Sequence, residues 1–246
     1  MRVRIVPVLV AACAISPSVS AFQGQMFDPP VISPVGDNPL ALDSGDMNGD
    51  GLLDLVRADR GTPDVHVYFG DGAGGLSPAT SYDGASDTRD LLLGDIDLDG
   101  DLDVVTIGAA AGELFLFFND GSGVLSTTGS FPIPSGAQHL AMADLDHDGD
   151  LDVCVTVSWT HRIIVMINDG SANFTLSSSH ALPLPGADVE LADLDGDGEL
   201  DLIVTGNNQD QGDTIYVFLG DGTGGFGPRA GYFAGADCTA GLAAAD

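Results

Sequence analysis

The chain has 246 residues, 44% of them apolar, with 34 glycines and 37 acidic residues against seven arginines and no lysine, for a net charge of −30. That length supports one large all-β domain or two small ones. The charge excludes nucleic acid, whose phosphates need Lys and Arg, and disfavours anionic lipid; a metal ion fits it better.

Residues 1–21 read as a secretory signal peptide. Arg2 and Arg4 give a basic start, an apolar run follows, and Val19-Ser20-Ala21 offers small residues for cleavage. The run is too short to span a bilayer. A lipoprotein signal ending at Cys13 is the rival reading, and it places the cysteine unusually early. Residues 22–36 resemble the end of the repeat described next, so the mature chain is expected to open on an outermost strand.

Four acidic segments follow at a constant step. They are Asp46-Met-Asn-Gly-Asp-Gly-Leu-Leu-Asp54, Asp95-Ile-Asp-Leu-Asp-Gly-Asp-Leu-Asp103, Asp144-Leu-Asp-His-Asp-Gly-Asp-Leu-Asp152 and Asp193-Leu-Asp-Gly-Asp-Gly-Glu-Leu-Asp201, and their first aspartates lie 49 residues apart. A second motif keeps nearly the same step: Tyr68-Phe-Gly-Asp-Gly72, Phe117-Phe-Asn-Asp-Gly121, Met166-Ile-Asn-Asp-Gly170 and Phe218-Leu-Gly-Asp-Gly222. Each copy holds four strand-like runs; in the third they are residues 139–143, 152–157, 163–167 and 174–181. β-Branched and aromatic residues fill the runs and turn residues separate them.

A four-stranded unit of about 40–50 residues is the size of one propeller blade, and it buries its faces only by stacking on other blades. The expected fold is therefore an all-β propeller over residues 22–246. Residues 241–246 parallel 189–193, the approach to an acidic loop. This predicts the start of a fifth copy, about four and a half blades present, and a larger propeller of which these are part. Cys154 falls where other copies have Val or Ile and reads as core. A Cys154–Cys238 disulfide is left open.

In the acidic loops, oxygen ligands at alternate positions converge when the backbone curls, and Gly at position six permits the turn. The candidate ligands are Asp46, Asn48, Asp50, Leu52 and Asp54 in the first copy, and Asp95, Asp97, Asp99, Asp101 and Asp103 in the second. The third copy supplies Asp144, Asp146, Asp148, Asp150 and Asp152, and the fourth Asp193, Asp195, Asp197, Glu199 and Asp201. Position seven would act through its carbonyl and position nine through its carboxylate. Imidazole and thiolate are missing from these positions, which sets zinc and copper aside, and a flexible all-oxygen cage suits calcium better than magnesium. One Ca2+ per copy, four in all, is expected.

These loops, with Tyr68-Phe-Gly-Asp-Gly-Ala-Gly-Gly-Leu-Ser-Pro78 and Phe218-Leu-Gly-Asp-Gly-Thr-Gly-Gly-Phe-Gly-Pro228, resemble the FG-GAP/VCBS repeats that build the propeller of integrin α-subunits and of many secreted bacterial proteins. The resemblance implies a calcium ion between the first two strands of each blade. It further implies adhesion or recognition of a glycan or extracellular protein at the cell surface or outside it. The alternative it carries is the propeller domain of a polysaccharide-degrading lyase or hydrolase.

No nucleophile pattern is present, and the repeat accounts for most carboxylates, so a non-enzymatic module is expected. The face opposite the acidic loops holds the turns that vary most between copies. Arg57, Arg60, Arg89, Trp159, His161 and Arg162 map there or to its rim, as candidate contacts for an acidic sugar or a partner's carboxylate. The competing expectation is that these arginines balance neighbours such as Asp59 and Asp90.

Overall fold

The computed structural model describes residues 38–60, 64–84, 87–206 and 213–235. The expected signal peptide of residues 1–21, the strand expected within residues 22–36, Cys238 and the start of a fifth copy expected at residues 241–246 lie outside them. The described residues form four four-stranded antiparallel meanders. Blade 1 comprises β1 (Pro39–Gly45), β2 (Asp54–Asp59), β3 (Asp64–Tyr68) and β4 (Thr80–Asp83). Blade 2 comprises β5 (Thr88–Gly94), β6 (Asp103–Gly108), β7 (Glu113–Asn119) and β8 (Leu125–Pro132). Blade 3 comprises β9 (Ala137–Ala143), β10 (Asp152–Val157), β11 (Arg162–Ile167) and β12 (Thr175–Ala181). Blade 4 comprises β13 (Gly186–Ala192), β14 (Asp201–Gly206), β15 (Asp213–Phe218) and β16 (Ala230–Gly235). A short 3-10 turn, Ser158–Thr160, links β10 to β11. The architecture is a β-propeller of four described blades, as the repeat predicts.

Stacking explains the burial. The second strand of a blade lies between its first and third strands, and every residue of β6, β10 and β14 is buried. Outermost strands such as β4 and β12 are mostly exposed. Contacts between innermost strands pass from β1 to β5, β5 to β9 and β9 to β13.

Three apolar clusters fill the three junctions. Val56, Val67 and Met47 of blade 1 meet Leu91, Val104 and Phe117 of blade 2. Val105 and Ile107 of blade 2 meet Val153, Val155 and Met166 of blade 3. Cys154, Ile163 and Val165 of blade 3 meet Val189, Leu202 and Phe218 of blade 4. Alternation along β10 thus sends Val153 and Val155 one way and Cys154 the other, as strand pleating requires. Cys154 is a buried free thiol, and burial pushes its pKa far up.

Candidate metal loops and the opposite face

Each acidic loop joins the first strand of its blade to the second, and its own side chains wind it. The position-one carboxylate accepts the N–H of the position-six glycine: Gly51 to Asp46 at 2.8 Å, Gly100 to Asp95 at 3.1 Å, Gly149 to Asp144 at 3.1 Å and Gly198 to Asp193 at 3.0 Å. Those glycines have φ between +84° and +98°, a region closed to most side chains. Position three accepts from position five, at Asn48, Asp97 and Asp195. Position five accepts from position seven, at Asp50, Asp99, Asp148 and Asp197. This ladder of side chain to backbone bonds holds the alternate carboxylates on the inside of the curl.

Among the described residues, three loops bring carboxylate oxygens within 4.8 Å of one another: Asp95, Asp97 and Asp99; Asp144, Asp146 and Asp152; and Asp193, Asp195 and Asp197. Such crowding opposes ionisation. Burial, then the charges of Asp99 and Asp95, raises the pKa of Asp97. Burial and then Asp148 do the same for Asp146, and burial leads again at Asp195. Asp95 Oδ1, Asp144 Oδ1 and Asp146 Oδ1 are buried with no hydrogen-bond donor. Orphaned anionic oxygens of this kind are costly unless a cation meets them. The donor set fits a hard divalent ion.

Positions nine and seven have roles the motif did not announce. Asp54, Asp103, Asp152 and Asp201 are all but fully buried. One oxygen of each accepts the position-two N–H, from Met47, Ile96, Leu145 and Leu194. The other accepts from the second motif, at Gly70, Asn119, Asn168 and Gly220. Position nine therefore clamps the two loops of a blade together, whatever else it binds. Burial outweighs those bonds and pushes Asp103 up to about 7 and Asp152 up to about 6. At position seven, the Leu52, Asp101, Asp150 and Glu199 side chains lie against Gly72, Gly121, Gly170 and Gly222 of the second motif. His147, at position four of the third loop, pairs with Glu199 of the next blade.

Sequence reasoning also missed an inter-blade bond. The Asn119 and Asn168 side-chain amides donate to the Met47 and Ile96 carbonyls of the preceding acidic loop, each at 2.8 Å. Recurrence of Asn in two copies of the second motif was the available signal.

On the opposite face the structure divides the candidate residues. Arg57 does not reach solvent: it is 3% exposed, ion-paired to Asp59 at 2.8 Å and placed over the Tyr68 ring. Its repeat counterparts are Thr106, Val155 and Val204, all buried, so its place on an open recognition surface is corrected to a place inside the blade. Arg60 and Arg89 converge on Asp87, at 2.9 and 3.1 Å, at the junction of blades 1 and 2. Trp159, His161 and Arg162 share one turn of blade 3. Trp159 is 74% exposed, and its ring covers Gly136, whose φ is +90°. Ser158 anchors the turn through bonds to the Gly136 and Gly186 carbonyls. The Arg162 guanidinium donates to Ser179. Asp90, expected to balance an arginine, instead faces His139 at 3.7 Å, which also faces Asp188 at 3.8 Å.

The family described as FG-GAP-like repeat matches residues 46–106, 95–155, 154–204 and 193–246. The chain belongs to the FG-GAP-like repeat family. Three of the four matched spans begin on the first aspartate of an acidic loop, at Asp46, Asp95 and Asp193. No curated protein matches the sequence. Among solved structures, the FG-GAP chain is similar to the Pseudomonas aeruginosa periplasmic gluconolactonase PpgL, with a TM-score of 0.58, 20% identity and coverage of 81% of this chain and 55% of that one. It is also similar to BBS1N from its complex with ARL6DN, with a TM-score of 0.56, 12% identity and coverage of 78% and 56%. A third similarity is to the V. cholerae biofilm matrix protein Bap1, with a TM-score of 0.49, 18% identity and coverage of 78% and 28%. The chain spans about half the length of the first two, and the shared feature is the fold. No helix among the described residues is long and apolar enough to cross a membrane.

Proposed function

We propose that this FG-GAP chain is a secreted, calcium-binding propeller that serves as a recognition module for a glycan or an extracellular protein and performs no catalysis. The observation that carries the calcium reading is the set of buried, donor-free oxygens on Asp95, Asp144 and Asp146. Carboxylates at positions one, three and five would hold the ion, which supplies neutralising charge and ties the loop to its strands. Calcium suits this set because its ligands are hard oxygens on a flexible backbone. The basic-start leader of residues 1–21 supports export.

For recognition, the supporting feature is the turn of Trp159, His161 and Arg162. An exposed indole braced against a glycine offers a flat apolar surface for a sugar ring or a hot spot for a protein, beside a guanidinium able to pair a carboxylate. The carboxylates are absorbed by the loops and the inter-blade bonds, which favours binding over catalysis.

Two experiments test the reading. Calorimetric titration with calcium is expected to detect four sites, with one lost in Asp95→Ala; no heat of binding at millimolar calcium overturns it. A glycan-array and pull-down screen is expected to find a ligand retained by Asp95→Ala and lost in Trp159→Ala and Arg162→Ala. Retention in both of the latter moves recognition elsewhere.

A further inference from the structure

The outermost strands repeat one position at each of the three described junctions. Tyr82, Phe131 and His180 lie 49 residues apart, paired within their blades with Val65, Leu114 and Ile163. Each is partly buried, and each meets the second-motif loop of the following blade. The Tyr82 hydroxyl donates to the Gly123 carbonyl of blade 2 at 3.1 Å. Phe131 meets Phe174 of blade 3 edge to face, with ring centroids 5.7 Å apart. His180 meets Phe226 of blade 4 at 6.0 Å and Phe218 at 5.4 Å, again edge to face. Phe174 and Phe226 hold the same place in their loops, eight residues after Met166 and Phe218. One ring thus closes the outer part of each junction.

Of these three side chains, imidazole is the one that gains a charge between about pH 5 and 8. Its surroundings offer that charge little. Two phenyl rings flank it, and its Nε2 lies 3.0 Å from the Ser178 hydroxyl. The charged residue of the adjoining strand β11 is Arg162, and the turn before it holds His161, which is exposed. Blade 4 adds Arg229, which donates to the Ala181 carbonyl at 3.4 Å. The other titratable side chains described on β15 and its loop are Tyr216, buried in the same cluster, and Asp221, which accepts from Thr223 and the Gly225 N–H of its own loop. Burial, and then the Arg162 charge, hold the His180 pKa below its ordinary value of 6.5.

We infer that His180 makes the outer seam between blades 3 and 4 releasable by acid: the neutral ring closes the seam and the imidazolium opens it. A histidine kept neutral in the closed seam binds fewer protons than the same residue once the seam has opened. Its contribution to closure is fully present above about pH 6.5 and is lost as pH falls through its folded pKa. The seams of Tyr82 and Phe131 gain no such charge in mild acid. Buried carboxylates such as Asp103 shift global stability in the opposite direction, so the release is local to this seam and is read there.

Two measurements on the full chain test this. NMR titration of the imidazole C–H, assigned by its loss in His180→Phe, is expected to give a midpoint below 6.5 that moves upward in Arg162→Ala. Hydrogen exchange, corrected for the intrinsic rate at each pH, reads the seam itself. Amides of β12 and β15 are expected to lose protection between pH 7.5 and pH 5, by up to about tenfold for each unit by which the midpoint lies below 6.5. His180→Phe copies the Phe131 seam and is expected to hold its protection at both values, as the junction of Phe131 and Phe174 does in the wild type. The wild-type midpoint and the comparison of the two wild-type junctions decide the matter even where His180→Phe folds poorly. A midpoint at or above 6.5, which cation–π attraction to Phe218 and Phe226 would produce, overturns the inference. So does a loss of protection in acid that His180→Phe retains or that both junctions share.

Discussion

Asn119 on blade 2 donates its side-chain amide to the main-chain carbonyl of Met47, inside the acidic loop of blade 1, at 2.8 Å. The same amide group reaches the Leu102 carbonyl, and its oxygen accepts the Gly123 N–H. One buried side chain thus fixes two loops on two blades. Asn119→Ala is expected to leave those groups unpaired and cost about 1–3 kcal/mol. Urea unfolding should show a lower midpoint with an unchanged slope.

Leu98 sits at position four of the second loop with φ +63°, where blades 1 and 4 have Gly49 and Gly196. Its side chain is exposed. Leu98→Gly is expected to relieve left-handed strain and lose little packing, for a net gain of about 0.5–1 kcal/mol after the unfolded-state entropy of glycine is subtracted. A midpoint that falls instead would show that Leu98 packs usefully in solution.

Acid titration carries a definite sign. Asp103 and Asp152 have folded pKa values near 7 and 6, raised by burial above the unfolded value of about 3.9. The native state therefore holds protons that the unfolded state has released. The stability from these two groups is fully present below about pH 4 and is lost as pH rises through 6 to 7. In chelator, unfolding midpoints compared at pH 5 and pH 7.5 should fall with rising pH, and Asp103→Asn should flatten part of that fall.

Calcium added at pH 7.5 is expected to raise the melting temperature, and chelator to lower it. A site held at a hundredfold excess over Kd contributes about 2.7 kcal/mol by mass action. Asp95→Ala and Asp144→Ala should each remove one such increment and leave the others. A melting curve indifferent to calcium would refute the metal reading of the loops.

Cys154 is buried between blades 3 and 4. Cys154→Val is expected to be tolerated, since Val105 fills the corresponding place in blade 2. Cys154→Ser buries a hydroxyl and should cost about 1–3 kcal/mol. Peptide mapping after alkylation should find Cys154 unmodified until the protein unfolds.

The blades were legible because the sequence repeats its own punctuation. The third copy was expected at 139–143, 152–157, 163–167 and 174–181, and its strands are Ala137–Ala143, Asp152–Val157, Arg162–Ile167 and Thr175–Ala181. Acidic loops fix where the second strand starts, and β-branched alternation carries it on. The phase of Arg57 within β2, not its charge, decides its burial. It lies two residues after Leu55, on the side of β2 that Val104, Val153 and Leu202 mark as inter-blade in the other copies. Pleat parity alone would have sent it inward. The double grip of position nine was hidden for another reason: its second partner lies about sixteen residues away, beyond a local motif.

The even step between acidic loops has an evolutionary consequence. Recombination between any two copies, in phase, deletes or adds one blade and still pairs every loop with a loop and every face with its counterpart. Chain length can then change in whole blades without a misfit to repair, and the propeller's diameter becomes a heritable variable separate from its surface chemistry.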